Sequence, residues 1–158
     1  MSRAFVKEQN GTEIPEDFPE RPLSTHPNFV TANGLRLIEA HVHELESQRE
    51  HARESEDKAT LAGVERELRY WQQRKATARL TEPESPASRI RFGMCVTLRL
   101  HDDSERQFTL VGEDEADPAS GLISWVSPVA QQLLGKEVGD EIELQKHVAQ
   151  IRRIDIPD

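Results

Sequence analysis

Two groups of carboxylates are the residues of this 158-residue chain whose types and spacing best suit chemistry. The first comprises Glu50, Glu54, Glu56 and Asp57, with Arg53 and Lys58 beside them. Carboxylates at this density hold a divalent cation, or its water, when they are carried into a deep site. The same composition also suits a solvated turn, and the two flanking cations weaken the field. The second group is Glu113, Asp114, Glu115 and Asp117, in a segment where acidic side chains commonly cap backbone amides. The six histidines (His26, His41, His43, His51, His101 and His147) are scattered. His41 and His43 point to different sides of a helix, and His43 and His51 lie too far apart for one ion. There is no G-x-S-x-G, no phosphate-binding loop and no paired-cysteine motif. Cys95 is the lone cysteine, in an apolar strand-like run that suits a buried structural thiol. No catalytic residue, resident metal or cofactor is therefore expected.

The elements that position these acids follow from periodicity. Leu35, Ile38, Val42, Leu45, Arg49 and Ala52 alternate at spacings of three and four, as do Leu61, Val64, Leu68, Trp71, Lys75 and Ala78. Each series is a coiled-coil seam, and the charged stretch Arg53–Lys58 between them is a turn. The spacing predicts an antiparallel helical hairpin over 34–80, capped near Thr31, with the first acidic group at its tip. Ahead of it, residues 1–33 read as an extended arm punctuated by Pro15, Pro19, Pro22 and Pro27. That arm is either a passive tail or a strap packed through Phe5, Phe18 and Phe29. Residues 81–88 form a proline-containing linker.

Residues 89–158 read as a β-rich domain. Ile90, Phe92, Met94, Val96, Leu98 and Leu100 alternate with other residues as in a half-buried strand. Further strands are expected at 108–111, 122–126, 141–144 and 148–154. A short helix starts at Pro128 and stops at Gly135. The second acidic group falls in the loop between the second and third strands. The fold class is α+β, with an N-terminal hairpin and a C-terminal β-rich domain.

Net charge is −9, with 20 basic and 29 acidic side chains. The acidity is concentrated beyond residue 82, so bare nucleic acid is repelled and any contact with it is expected to be indirect, through another protein. No run approaches the ~18 apolar residues of a membrane span, and the first residues lack an apolar signal core. A cytoplasmic protein without membrane contact is expected. An internal hairpin satisfies its own seam, which favours a monomer.

The run Val111-Gly-Glu-Asp-Glu-Ala-Asp117, then Gly121-x-Ile123-Ser-Trp-Val-Ser-Pro128, then Leu133-Leu-Gly-Lys-Glu-Val-Gly-Asp140 resembles the C-terminal domain of the Gre transcription elongation factors, shared with the related Rnk-type regulators. Phe92-Gly93 precedes these pieces, and Leu68-Arg-Tyr-Trp71 fits the base of the Gre hairpin. The resemblance implies an FKBP-like C-terminal domain that docks at the rim of the secondary channel of bacterial RNA polymerase. It also implies a coiled coil that enters the channel with acids at its tip. In the family, those acids help hold the second magnesium ion for transcript cleavage, a cation shared with the polymerase active site. On that basis Glu54, Glu56 and Asp57 are the candidate tip acids. Glu113, Asp114, Glu115, Asp117, Ser127 and Pro128 are the candidate docking residues. The family's tip pattern is absent, and the hairpin is shorter by roughly three to four turns at ~3.6 residues each. The implied protein is not an enzyme but a regulator that modulates cleavage or pausing. The alternative is a Rnk-type regulator or Gre antagonist that occupies the channel, or binds another protein, without stimulating cleavage. A prolyl isomerase would rest on fold analogy alone.

Overall fold

The computed structural model describes residues 19–158, so the expectations for Phe5, Pro15 and Phe18 lie outside the described residues. A short strand β1 (Phe29–Val30) leads into helix α1 (Ala32–Glu54), and helix α2 (Lys58–Thr77) returns to strand β2 (Arg79–Leu80). Thr31 is the N-cap of α1, its hydroxyl accepting from the Gly34 amide at 3.0 Å. Satisfying that amide lets the helix begin ahead of Gly34. Ile38, Val42 and Ala52 of α1 and Val64, Leu68 and Trp71 of α2 are buried along the seam. At the base the seam shifts by one residue: Arg74 is buried, whereas Lys75 is exposed. The two-residue strands β1 and β2 pair in parallel, Phe29 opposite Arg79, and tie the chain entering the hairpin to the chain leaving it.

The β-rich domain contains β3 (Cys95–Arg99), β4 (Glu105–Val111), β5 (Leu122–Ser124), α3 (Pro128–Leu133), β6 (Glu141–Leu144) and β7 (His147–Asp155). Sheet order is β5-β4-β3-β7-β6, with every neighbouring pair antiparallel except β4 and β5. Val96 and Leu98 of β3, Phe108 and Leu110 of β4, and Ile151 of β7 share one core with Ala130 and Leu133 of α3. Strand β3 is shorter than the alternation from residue 90 predicts. Gly93 adopts φ +86° in a turn that interrupts the extended chain, and Ile90 bonds instead to Lys136 and Gly135. Alternation records which side chains are inward, but a left-handed glycine decides where pairing begins. The Gln132 side chain pairs with both backbone groups of Glu143 and closes the outer edge of β6. Among the described residues, no helix is long and apolar enough to cross a membrane.

Candidate functional site: the arm tip and the joint at its base

The tip is a three-residue connection. The Glu56 amide donates to Arg53 O at 3.2 Å and the Asp57 amide to Ala52 O at 3.0 Å. Glu56 is left-handed, at φ 54°. This is the Schellman arrangement that closes a helix, with glutamate where glycine is usual. Asp57 then opens α2 as its N-cap, accepting from the Thr60 amide at 3.2 Å and the Thr60 hydroxyl at 2.6 Å. Those hydrogen bonds hold its carboxyl below the ordinary aspartate range. Arg53 reaches across to Glu65 at 3.5 Å. The tip acids Glu54, Glu56 and Asp57 therefore differ in kind: Asp57 serves the fold, while Glu54 and Glu56 are exposed and unpartnered among the described residues. Among the described residues no three His, Cys, Asp or Glu side chains are grouped to hold a metal.

At the base of the arm the second acidic group turns toward the hairpin. Asp114 accepts from the Tyr70 hydroxyl at 2.7 Å and from Arg74 Nε at 2.5 Å. Glu113 accepts from the Ser24 hydroxyl at 2.9 Å and lies 3.6 Å from the Arg74 guanidinium. Glu115 is buried at the start of α1, accepting from the Thr31 hydroxyl at 2.5 Å and Asn33 Nδ2 at 3.0 Å. A carboxylate there also suits the positive end of the helix dipole. Burial first, then the hydrogen bond to Asp114 and its charge, push the Tyr70 phenol up to about 12. Asp117 remains exposed, accepting from the Ser120 hydroxyl at 2.7 Å. Ser127 caps α3 through the Ala130 amide, and Pro128 follows as its exposed first residue. The structure thus separates the candidate docking residues: Glu113, Asp114 and Glu115 face the hairpin, whereas Asp117 and Pro128 face outward.

Residues 85–156 match the family model described as the C-terminal domain of the transcription elongation factors GreA and GreB. The GreA of Desulfovibrio desulfuricans is 31% identical over 135 residues, covering 73% of this chain and 83% of that protein. The GreB of Yersinia pestis is 28% identical over 137 residues, covering 75% and 80% respectively. The chain belongs to the GreA/GreB family. Among solved structures, the Gre factor homologue Gfh1 of Thermus thermophilus aligns with 82% of this chain and 99% of its own, at 20% identity and a TM-score of 0.41.

This Gre-type elongation factor carries two site residues that periodicity did not reveal. Arg74 follows Tyr70 by four residues, so the two share one helix face and both reach Asp114 of the β-rich domain. Asn28, in the segment before β1, accepts from Arg74 Nη2 at 2.8 Å and donates to Arg74 O at 2.7 Å. The one sequence signal that could have found Arg74 is the need for a counter-cation opposite the three consecutive acids Glu113, Asp114 and Glu115. Nothing in the sequence singled out Asn28.

Proposed function

We propose that this elongation factor binds bacterial RNA polymerase at its secondary channel, docks through the β-rich domain, and acts inside the channel through the hairpin tip. The observation carrying this reading is a Gre-family C-terminal domain bearing a two-helix arm that ends on the unpartnered carboxylates Glu54 and Glu56. Asp117 and Pro128 supply the outward-facing part of the docking surface, with the α3 cap Ser127 beside Pro128. The protein works as a monomer in the cytoplasm with no active site, cofactor or metal of its own, and it meets nucleic acid only through the polymerase. Any cleavage is the polymerase's chemistry, assisted by tip carboxylates near its magnesium.

One observation favours the reading in which the arm occupies the channel without stimulating cleavage. Asp57 is committed to capping α2, which leaves fewer carboxylates to meet a cation. The experiment is binding to polymerase core combined with RNA cleavage in backtracked complexes. Wild-type protein is expected to bind and to displace an authentic Gre factor. The variant Glu54→Ala, Glu56→Ala and Asp57→Asn keeps the cap, because asparagine also caps helices. It is expected to bind equally and to lose whatever cleavage the wild type stimulates. Cleavage that survives all three changes removes the metal-assisting role, and failure to bind the core removes the polymerase reading.

A further inference from the structure

The segment ahead of the hairpin does more than precede it. Glu20 receives a two-nitrogen hydrogen bond from Arg69, and Arg21 pairs with Glu67 at 2.9 Å while its guanidinium covers the Tyr70 ring at 3.8 Å. Ser24 then meets Glu113 of the β-rich domain. Asn28 grips Arg74, and also donates to the Thr77 hydroxyl at 3.2 Å. Phe29 packs on Trp125 at 5.1 Å and Phe92 at 6.0 Å between ring centres. Residues 20–30 thus touch helix α2 and the β-rich domain in turn.

The three pieces converge on one buried cation. The Arg74 side chain is only 4% exposed. Its guanidinium meets Asp114 from the β-rich domain and Asn28 from the strap. A planar guanidinium held by oxygens from different segments fixes their mutual orientation, not merely their proximity. The strap and the acidic loop also meet backbone to backbone: a Cβ added at Gly112 would lie 2.5 Å from the Phe29 carbonyl oxygen. That approach is open only to glycine.

We infer that residues 20–30 are a positioning strap: by closing around Arg74 with the Gly112–Asp114 loop, they fix the direction in which the arm leaves the β-rich domain. Asn28, Arg74 and Gly112 are positioning residues, acting through the tip they aim. Leverage makes this consequential. A rotation of about 10° at the joint carries a tip about 35 Å away through about 6 Å, the distance given by ~1.5 Å per residue along α1. A docked domain with a loose arm would present its tip to a volume rather than to a point.

The test uses the full chain with Cys95→Ala and spin labels on Ala59→Cys and Glu141→Cys, which report the distance from tip to sheet. The parent is expected to give one narrow distance distribution. Asn28→Ala and Gly112→Val are expected to broaden it about twofold, as a freed hinge does, with helix content unchanged. Leu23→Ala, at an exposed strap residue, should leave the width alone. If Gly112→Val fails to fold, Asn28→Ala carries the comparison. The second readout rests on the function proposed above: broadened variants should bind polymerase core as the parent does but lose tip-dependent effect on the order of tenfold, because positioning has been lost. Parent-like widths in the joint variants overturn the inference, as does a broadened variant that keeps its full effect. A parent protein that never binds polymerase overturns the proposed function and leaves the distance result to decide the inference.

Discussion

Tyr70 reports on the joint more directly than any other side chain, because it is the single tyrosine of the chain. Its phenol lies half-buried beneath Arg21 and donates to Asp114. Burial and the adjacent carboxylate both oppose the phenolate, raising the phenol from its ordinary 10 to about 12. A group whose pKa is raised by folding adds stability that is complete below its ordinary pKa. That stability is lost as pH climbs through the folded value. The joint should therefore keep its full contribution from Tyr70 to about pH 10 and weaken between 10 and 12. In an absorbance titration, tyrosinate should appear near pH 12, and Asp114→Asn should draw the midpoint back toward 10. A wild-type midpoint at 10 would falsify the buried pairing. Arg74→Ala should be more damaging, at about 3–5 kcal/mol, because it strands Asp114 without its buried counter-charge. Urea denaturation measures that loss. Periodicity missed this residue because it placed Lys75 on the seam, where a tertiary partner selected Arg74 instead.

The hairpin is the element most legible in the sequence, since two apolar seams and one charged interruption admit few other folds. Its turn was less legible, because the Schellman closure places a glutamate where glycine would have been the signal. A non-glycine residue in the left-handed region carries a steric cost of about 1–2 kcal/mol. Glu56→Gly should therefore stabilise the hairpin by about 0.5–1 kcal/mol after the entropy of glycine is counted. A higher urea midpoint at unchanged slope is the expected result. The same change removes one of the two unpartnered tip carboxylates, so stability should rise while any tip-dependent effect on polymerase falls. Effects moving together would mean that tip rigidity, not charge, governs the activity. The paired strands β1 and β2 were illegible for a simpler reason. Two residues apiece carry no period, and their pairing is imposed by the strap and by the hairpin they bracket.

At the scale of the molecule, the separation between the β-rich domain and the tip decides what the tip can meet. Helix α1 has 23 residues, about 35 Å at ~1.5 Å per residue. The resemblance to the Gre pattern implies a hairpin shortened by roughly three to four turns, a deficit of about 16–22 Å at ~5.4 Å per turn. Under the proposed function two limits compete: an arm too short to bring its carboxylates to the polymerase metal, or carboxylates too few when they arrive. Inserting two heptads in each helix preserves the seam, since every apolar residue returns to its face after seven positions. The insertion lengthens the arm by about 21 Å. If reach is the limit, the lengthened protein should stimulate cleavage in backtracked complexes above its parent. The same insertion with Glu54→Ala and Glu56→Ala should remain at the parent's level, because distance alone supplies no charge to the metal. Equal binding with no gain from the lengthened arm would place the limit in the tip itself. Asp57, already held by Thr60, would then be the acid that the fold has withdrawn from the chemistry.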